Sequence, residues 1–131
     1  LPFLLRLLET EEDFLREKCL IALGWVASER EISFLTGKML EDRDALCRAW
    51  AASSLMQMSF HRVNRVILQE ETKSDFAKAI GEEKDLQASG IMIEAAQTLF
   101  SKKWLSASAL EAEDEVQIEK ARRSAVRFLM K

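Results

Sequence analysis

His61 is the only histidine in this 131-residue chain. A Ser-His-Asp relay or an imidazole metal site would therefore rest on one residue, flanked by Phe60 and Arg62 at a turn, where an exposed polar role is the plainer reading. Carboxylates are plentiful. Glu82-Glu83 and Glu113-Asp114-Glu115 form acidic runs, but acid–base work needs two carboxyl groups in unlike, partly buried surroundings, and both runs read as solvated connectors. Glu94 stands apart. It lies within a helical stretch between Ile93 and Ala95, about 100° around the axis from either, so it can face a groove; a solvated face is the plainer reading. There is no glycine-rich phosphate loop. Cys19 and Cys47 have neither a CxxC partner nor Cys/His spacing for a metal. No catalytic residue, cofactor or metal ligand is assigned, and the chain is read as a non-enzyme.

Two groups of residues suit binding better than chemistry. Trp104 beside Lys102 and Lys103 joins a ring to two cations, which can hold a base or a phosphate or be ordinary surface. Lys120, Arg123, Arg127 and Lys131 fall on one stripe of a last helix, with Arg122 nearby. Cations there offset the helix dipole and give a terminal repeat a polar face; equally, they form a docking strip for an acidic partner. Trp25 and Trp50 sit on helices that are apolar nearly all round and are assigned to the core.

The elements carrying these residues are helices. Hydrophobic residues make up 48%, with one proline and four glycines, and Leu, Ala, Glu, Lys, Arg and Met are good helix formers. Pro2 suits a first turn, followed by Phe3, Leu4, Leu7 and Leu8. Asp13 is placed as the cap of a helix from Phe14 to Ala27. Ser28 and Glu31 have capping-box spacing ahead of Ile32, Leu35, Met39 and Leu40. Asp44 caps a helix from Leu46 to Met58. From Phe60 the pattern slips, and residues 63–80 form one long helix or two short ones. After a Gly81–Asp85 turn, Leu86 to Phe100 is amphipathic. A short helix follows near Trp104–Leu110, and Val116 to Met130 is the last. No apolar run approaches the ~20 residues of a membrane span.

Shifting the sequence by 32 positions lays Arg6 on Lys38, Leu8 on Leu40, Phe14 on Leu46, Arg16 on Arg48 and Leu23 on Leu55, with residue class kept. A period in the 30s marks stacked two-helix units. The residues Asp13-x-x-Arg16, Ala22-Leu23-Gly24, Ile32, Leu35, Leu40, Asp42-x-Asp44, Arg48 and Ala51-Ala52 resemble HEAT repeats, most of all the short HEAT-like repeats of phycobilin lyases. The resemblance covers residues 1–59 and fades afterwards. It implies that Asp13 and Asp44 cap second helices and that Arg16 and Arg48 tie successive units together.

The resulting expectation is an all-α, right-handed α-solenoid of three to four helical hairpins, a single domain over residues 1–131, with clear repeats in 1–59 and degenerate ones in 60–131. Its expected role is a protein- or peptide-binding scaffold. The resemblance also permits an enzyme or enzyme subunit of the bilin-lyase kind, or a HEAT-like nucleic-acid binder, against which the net charge of −3 counts. Free buried thiols suit the cytoplasm. The chain starts inside an apolar helix, so it is expected to be a piece of a longer protein in which another helix covers Leu1–Leu8, and to self-associate through that helix when isolated.

Overall fold

Short polar side chains set the helix starts. Asp44, Asn64, Asp85, Ser106 and Asp114 each precede a helix and accept from backbone N–H groups of its first turn, satisfying donors that a helix start leaves unpaired. In the computed structural model, which describes all 131 residues, eight α-helices result: α1 (Pro2–Leu7), α2 (Asp13–Val26), α3 (Ile32–Glu41), α4 (Ala45–Met58), α5 (Arg65–Glu82), α6 (Leu86–Leu99), α7 (Ala107–Glu111) and α8 (Glu115–Leu129). Ahead of α3, the Glu31 carboxylate takes the Ser28 N–H at 2.8 Å, so the expected box closes around a short 3-10 turn.

The helices pair as four hairpins. The second helices stack directly, α2 on α4, α4 on α6 and α6 on α8, while α1, α3, α5 and α7 are the first helices. Buried side chains from Leu8 to Leu129 form one continuous core. Small residues let the second helices approach. Ala49, Ala51, Ala52 and Ser54 are buried on α4, and Ser54 Oγ donates to the Leu20 carbonyl of α2. A Cβ at Gly24 would lie 3.1 Å from Gln57 Cβ and 3.2 Å from Ser54 Cα; α2 and α4 touch backbone to backbone there.

One polar pattern recurs at the turns of the first three hairpins. The N–H groups of Glu12, Asp44 and Asp85 donate to the side chains of Thr10, Asp42 and Glu83, each two residues earlier. Six residues after those side chains come Arg16, Arg48 and Ser89. Each donates back to a backbone carbonyl, of Thr10, Asp42 and Glu83 respectively. The arginines then cross to the next unit. Arg16 Nε and Nη2 hold Asp42 at 3.1 and 2.9 Å, and Arg48 Nε and Nη2 hold Glu83 at 2.7 and 2.9 Å. The third unit has only Ser89 at this place. Arg122 of α8 fills the gap, donating to Ser89 Oγ and the Glu83 carbonyl, both at 2.9 Å, and to the Ile80 carbonyl.

Two expectations need correcting here. Asp13 does not cap α2. The N-cap is Glu12, without a side-chain cap bond; Asp13 lies one residue inside the helix, where its carboxylate meets Arg16 Nη2 at 2.6 Å. Glu83 is no solvated connector: its side chain is 2% exposed and is paired with Arg48. Arg122, next to the basic stripe in sequence, turns away from it and spends its guanidinium inside the fold.

The period slips after Phe60 because α5 is a single helix of 18 residues where α3 has 10. Its start is fastened to the end of α6, through Arg65 and Gln69 to the Leu99 carbonyl. The rest reaches on to pack against α8. Of the apolar residues at the start of the chain, only the first stay open. Leu8 is buried and Leu4, Leu5 and Leu7 are half-buried, leaving Leu1, Pro2 and Phe3 exposed.

Candidate binding face

The capping residues put the second helices in register. Glu12, Asp44, Asp85 and Asp114 are their N-caps. Counting onward from each cap, two rows are buried in all four helices: Cys19, Ala51, Met92 and Ala121 form one, and Leu23, Leu55, Ala96 and Ala125 the other. Other rows stay open in every helix. Phe14, Leu46, Gln87 and Val116 make the first, and Lys18, Trp50, Ile91 and Lys120 the second. Ile21, Ser53, Glu94 and Arg123 make the third, and Trp25, Gln57, Thr98 and Arg127 the fourth. All sixteen residues are exposed or half-exposed, so one open face crosses all four stacked helices.

The face changes character along the stack. On α2 it is apolar and aromatic: Phe14 is 69% exposed, Trp25 56%, and Ile21 lies between them. Trp25 is therefore not a core residue. Only α1 and α4 pack on α2, too little to cover a helix that is apolar on most of its circumference. Trp50 is half-buried, its indole N–H donating to Glu17 Oε1 at 3.0 Å. Between α2 and α4 lies a hollow of about 300 Å³, lined by Ile21, Trp25, Trp50, Ser53, Ser54 and Gln57. His61 stands at its rim, its ring 4.4 Å from that of Trp25 and its Nε2 3.1 Å from Gln57 Nε2.

On α6 the face carries exposed Glu94. On α8 it carries Lys120, Arg123 and Arg127. Every ion pair in the chain uses Arg16, Arg43, Arg48 or Arg122, so these three cations are unpaired. Trp104, Lys102 and Lys103 do not join them. Trp104 is half-buried with its ring 5.9 Å from Phe128. Lys102 Nζ sits 4.4 Å above that same ring, which Lys73 of α5 also covers. That group closes a flank of α8 against α5, and Lys103 alone stays fully outside.

The face offers exposed aromatic rings at one end and exposed cations at the other. No group of three His, Cys, Asp or Glu residues is placed to hold a metal ion. Burial pushes the Cys19 thiol up and the Cys47 thiol up to about 12, and both side chains are buried. Residues 1–56 match the family of HEAT repeats. Residues 1–56 are thus similar to HEAT repeats, and the all-helical hairpin stack is consistent with that fold. The match names HEAT repeats in general and does not single out the phycobilin-lyase kind. No curated protein and no solved structure matches the chain. Beyond residue 56 the HEAT-like units are recognised by the same turn bonds, Glu83 and Asp85 repeating the parts played by Asp42 and Asp44. Laying Asp42-x-Asp44 on Glu83-x-Asp85 would have exposed this equivalence and, with it, the open rows.

Proposed function

We propose that this HEAT-like chain is a docking module for another protein or peptide, which binds across the open face of α2, α4, α6 and α8. HEAT repeats are commonly scaffolds for protein interaction. The observation that carries the reading is the continuity of this face, with large aromatic side chains standing out of it where a monomer would ordinarily hide them. A nucleic-acid groove would need cations along its whole length, and here three of the four stand on α8, with Lys18 alone on α2 and none on α4 or α6. Enzymatic work of the bilin-lyase kind draws no support from the face, where His61 has only Gln57 and Trp25 as neighbours. No helix is long and apolar enough to cross a membrane. We place the protein in the cytoplasm, a reading supported by two buried thiols free of any disulfide.

A photo-crosslinking residue at Ser53, in the middle of the face, tests this in the native cell against the same residue at Lys78, exposed on α5. The expected result is a discrete crosslinked species from position 53 only. Equal products from both positions, or none from 53, would overturn the docking role.

A further inference from the structure

We infer that the partner segment is an acidic peptide with one large apolar anchor: the anchor seats between α2 and α4, and the carboxylates lie over α8. This rests on the docking role proposed above and names the chemistry that the face selects.

The anchor site is the hollow of about 300 Å³ walled by Trp25 and Trp50. It has room for one large side chain, and the hydroxyl at its floor, Ser54 Oγ, is already donated to the Leu20 carbonyl. An apolar guest therefore does not strand that buried hydroxyl, and it covers Trp25, which is otherwise open. The acidic site is the outward row of α8. Lys120, Arg123 and Arg127 lack an ion-pair partner, while the neighbouring Arg122 is turned inward and consumed. A chain of net charge −3 thus gathers three free cations at one end of one face, and opposite charge on the partner steers and orients it there.

Glu94 fixes the spacing. It lies exposed on α6, between the two sites, so a partner carboxylate above it would be repelled. The acidic run must begin only past α6, with an uncharged or basic residue before it. Packed helix axes lie ~8–10 Å apart, so the distance from the hollow to α8 is roughly 20–25 Å. An extended chain rising ~3.3 Å per residue crosses that in about seven residues.

The test uses the whole chain, immobilised, and a library of random peptides about twelve residues long, a length set by that span. Enriched sequences should carry a large apolar residue followed or preceded, about seven positions away, by Asp or Glu. A fluorescein-labelled winner is then titrated by anisotropy. Arg123→Glu with Arg127→Glu should weaken it about tenfold or more and remove its salt dependence. Trp25→Ala should weaken it while leaving the salt dependence intact, and reselection on Glu94→Lys should move the acidic residues closer to the anchor. All replaced side chains are exposed, and melting curves matching the parent's show that the variants fold. Winners without acidic residues, or a winner indifferent to the charge reversal, overturn this inference and leave the docking role standing. A library that yields no binder overturns both.

Discussion

Arg16 and Arg48 make the same bonds one repeat apart. Each sends Nη1 to the carbonyl six residues before it, at 3.1 and 2.7 Å, and clamps with Nε and Nη2 a carboxylate that belongs to the following unit. The carboxylates, Asp42 and Glu83, are almost wholly buried. Removing an arginine would leave a charge stranded inside, which costs far more than the intact pair contributes.

Arg48→Ala should accordingly destabilise the fold by about 2–3 kcal/mol and lower the melting temperature by roughly 5–10 °C. Urea unfolding and a melting curve check this. Below the new melting temperature any partner should still bind with parental affinity. Unchanged stability together with lost binding would make Arg48 a contact residue instead.

Acid should loosen the same joints. Burial alone would raise the carboxyls of Asp42 and Glu83, but the bonds from Arg16 and Arg48 and from the N–H groups of Asp44 and Asp85 outweigh it and hold both below their ordinary values. The unfolded chain then binds protons that the folded chain refuses. Stability from these groups is fully present above about pH 4.5 and drains away as the pH falls below that. Asp42→Asn should be less stable at neutral pH and lose less of its stability on acidification. Parallel curves of unfolding free energy against pH for parent and variant would contradict the assignment.

Cys19 and Cys47 should behave as inert core groups. With both thiols buried and shifted away from the thiolate, an aromatic disulfide reagent should label neither at neutral pH on the timescale of minutes, and both at once in urea. Rapid labelling of the native protein would show that α2 or α4 opens locally.

Self-association through the first helix remains a proposal, now on a smaller patch. Phe3 is 64% exposed, and Leu1 and Pro2 are exposed beside it, whereas Leu8 has gone into the core. Sedimentation over a concentration series should show a weak, concentration-dependent increase in mass that Phe3→Ser removes. A constant monomer mass would end the idea.

The repeat, the all-helical class and the tie role of Arg16 and Arg48 were legible because each is local or recurs at a fixed shift. The roles of Glu83 and Trp25 were not. Glu83 stands in an acidic stretch that looks like a connector, and only an 18-residue α5 brings it under Arg48. Trp25 sits in a run whose apolar residues spread around the whole helix, so the pattern alone could not say which side would lack a neighbour. Trp104 misleads in the opposite sense, since adjacent lysines suggest surface while Phe128, 24 positions on, takes its ring. Helix caps, read as a register, would have recovered the open rows; the partners of single rings depend on tertiary neighbours that spacing does not encode.

The length of α5 has a consequence for how the molecule comes apart. In a plain array each unit leans only on the next, and opening can begin at either end. Here α5 lies against α3, α6 and α8 at once, lashing the last two hairpins together, while α1 contributes no buried residue from its own helical span. Amide hydrogens of α1 should therefore exchange first, those of α2 and α3 next, and those of α5, α6 and α8 last and together. The array unzips from one end, and the aromatic end of the open face is the part that yields first.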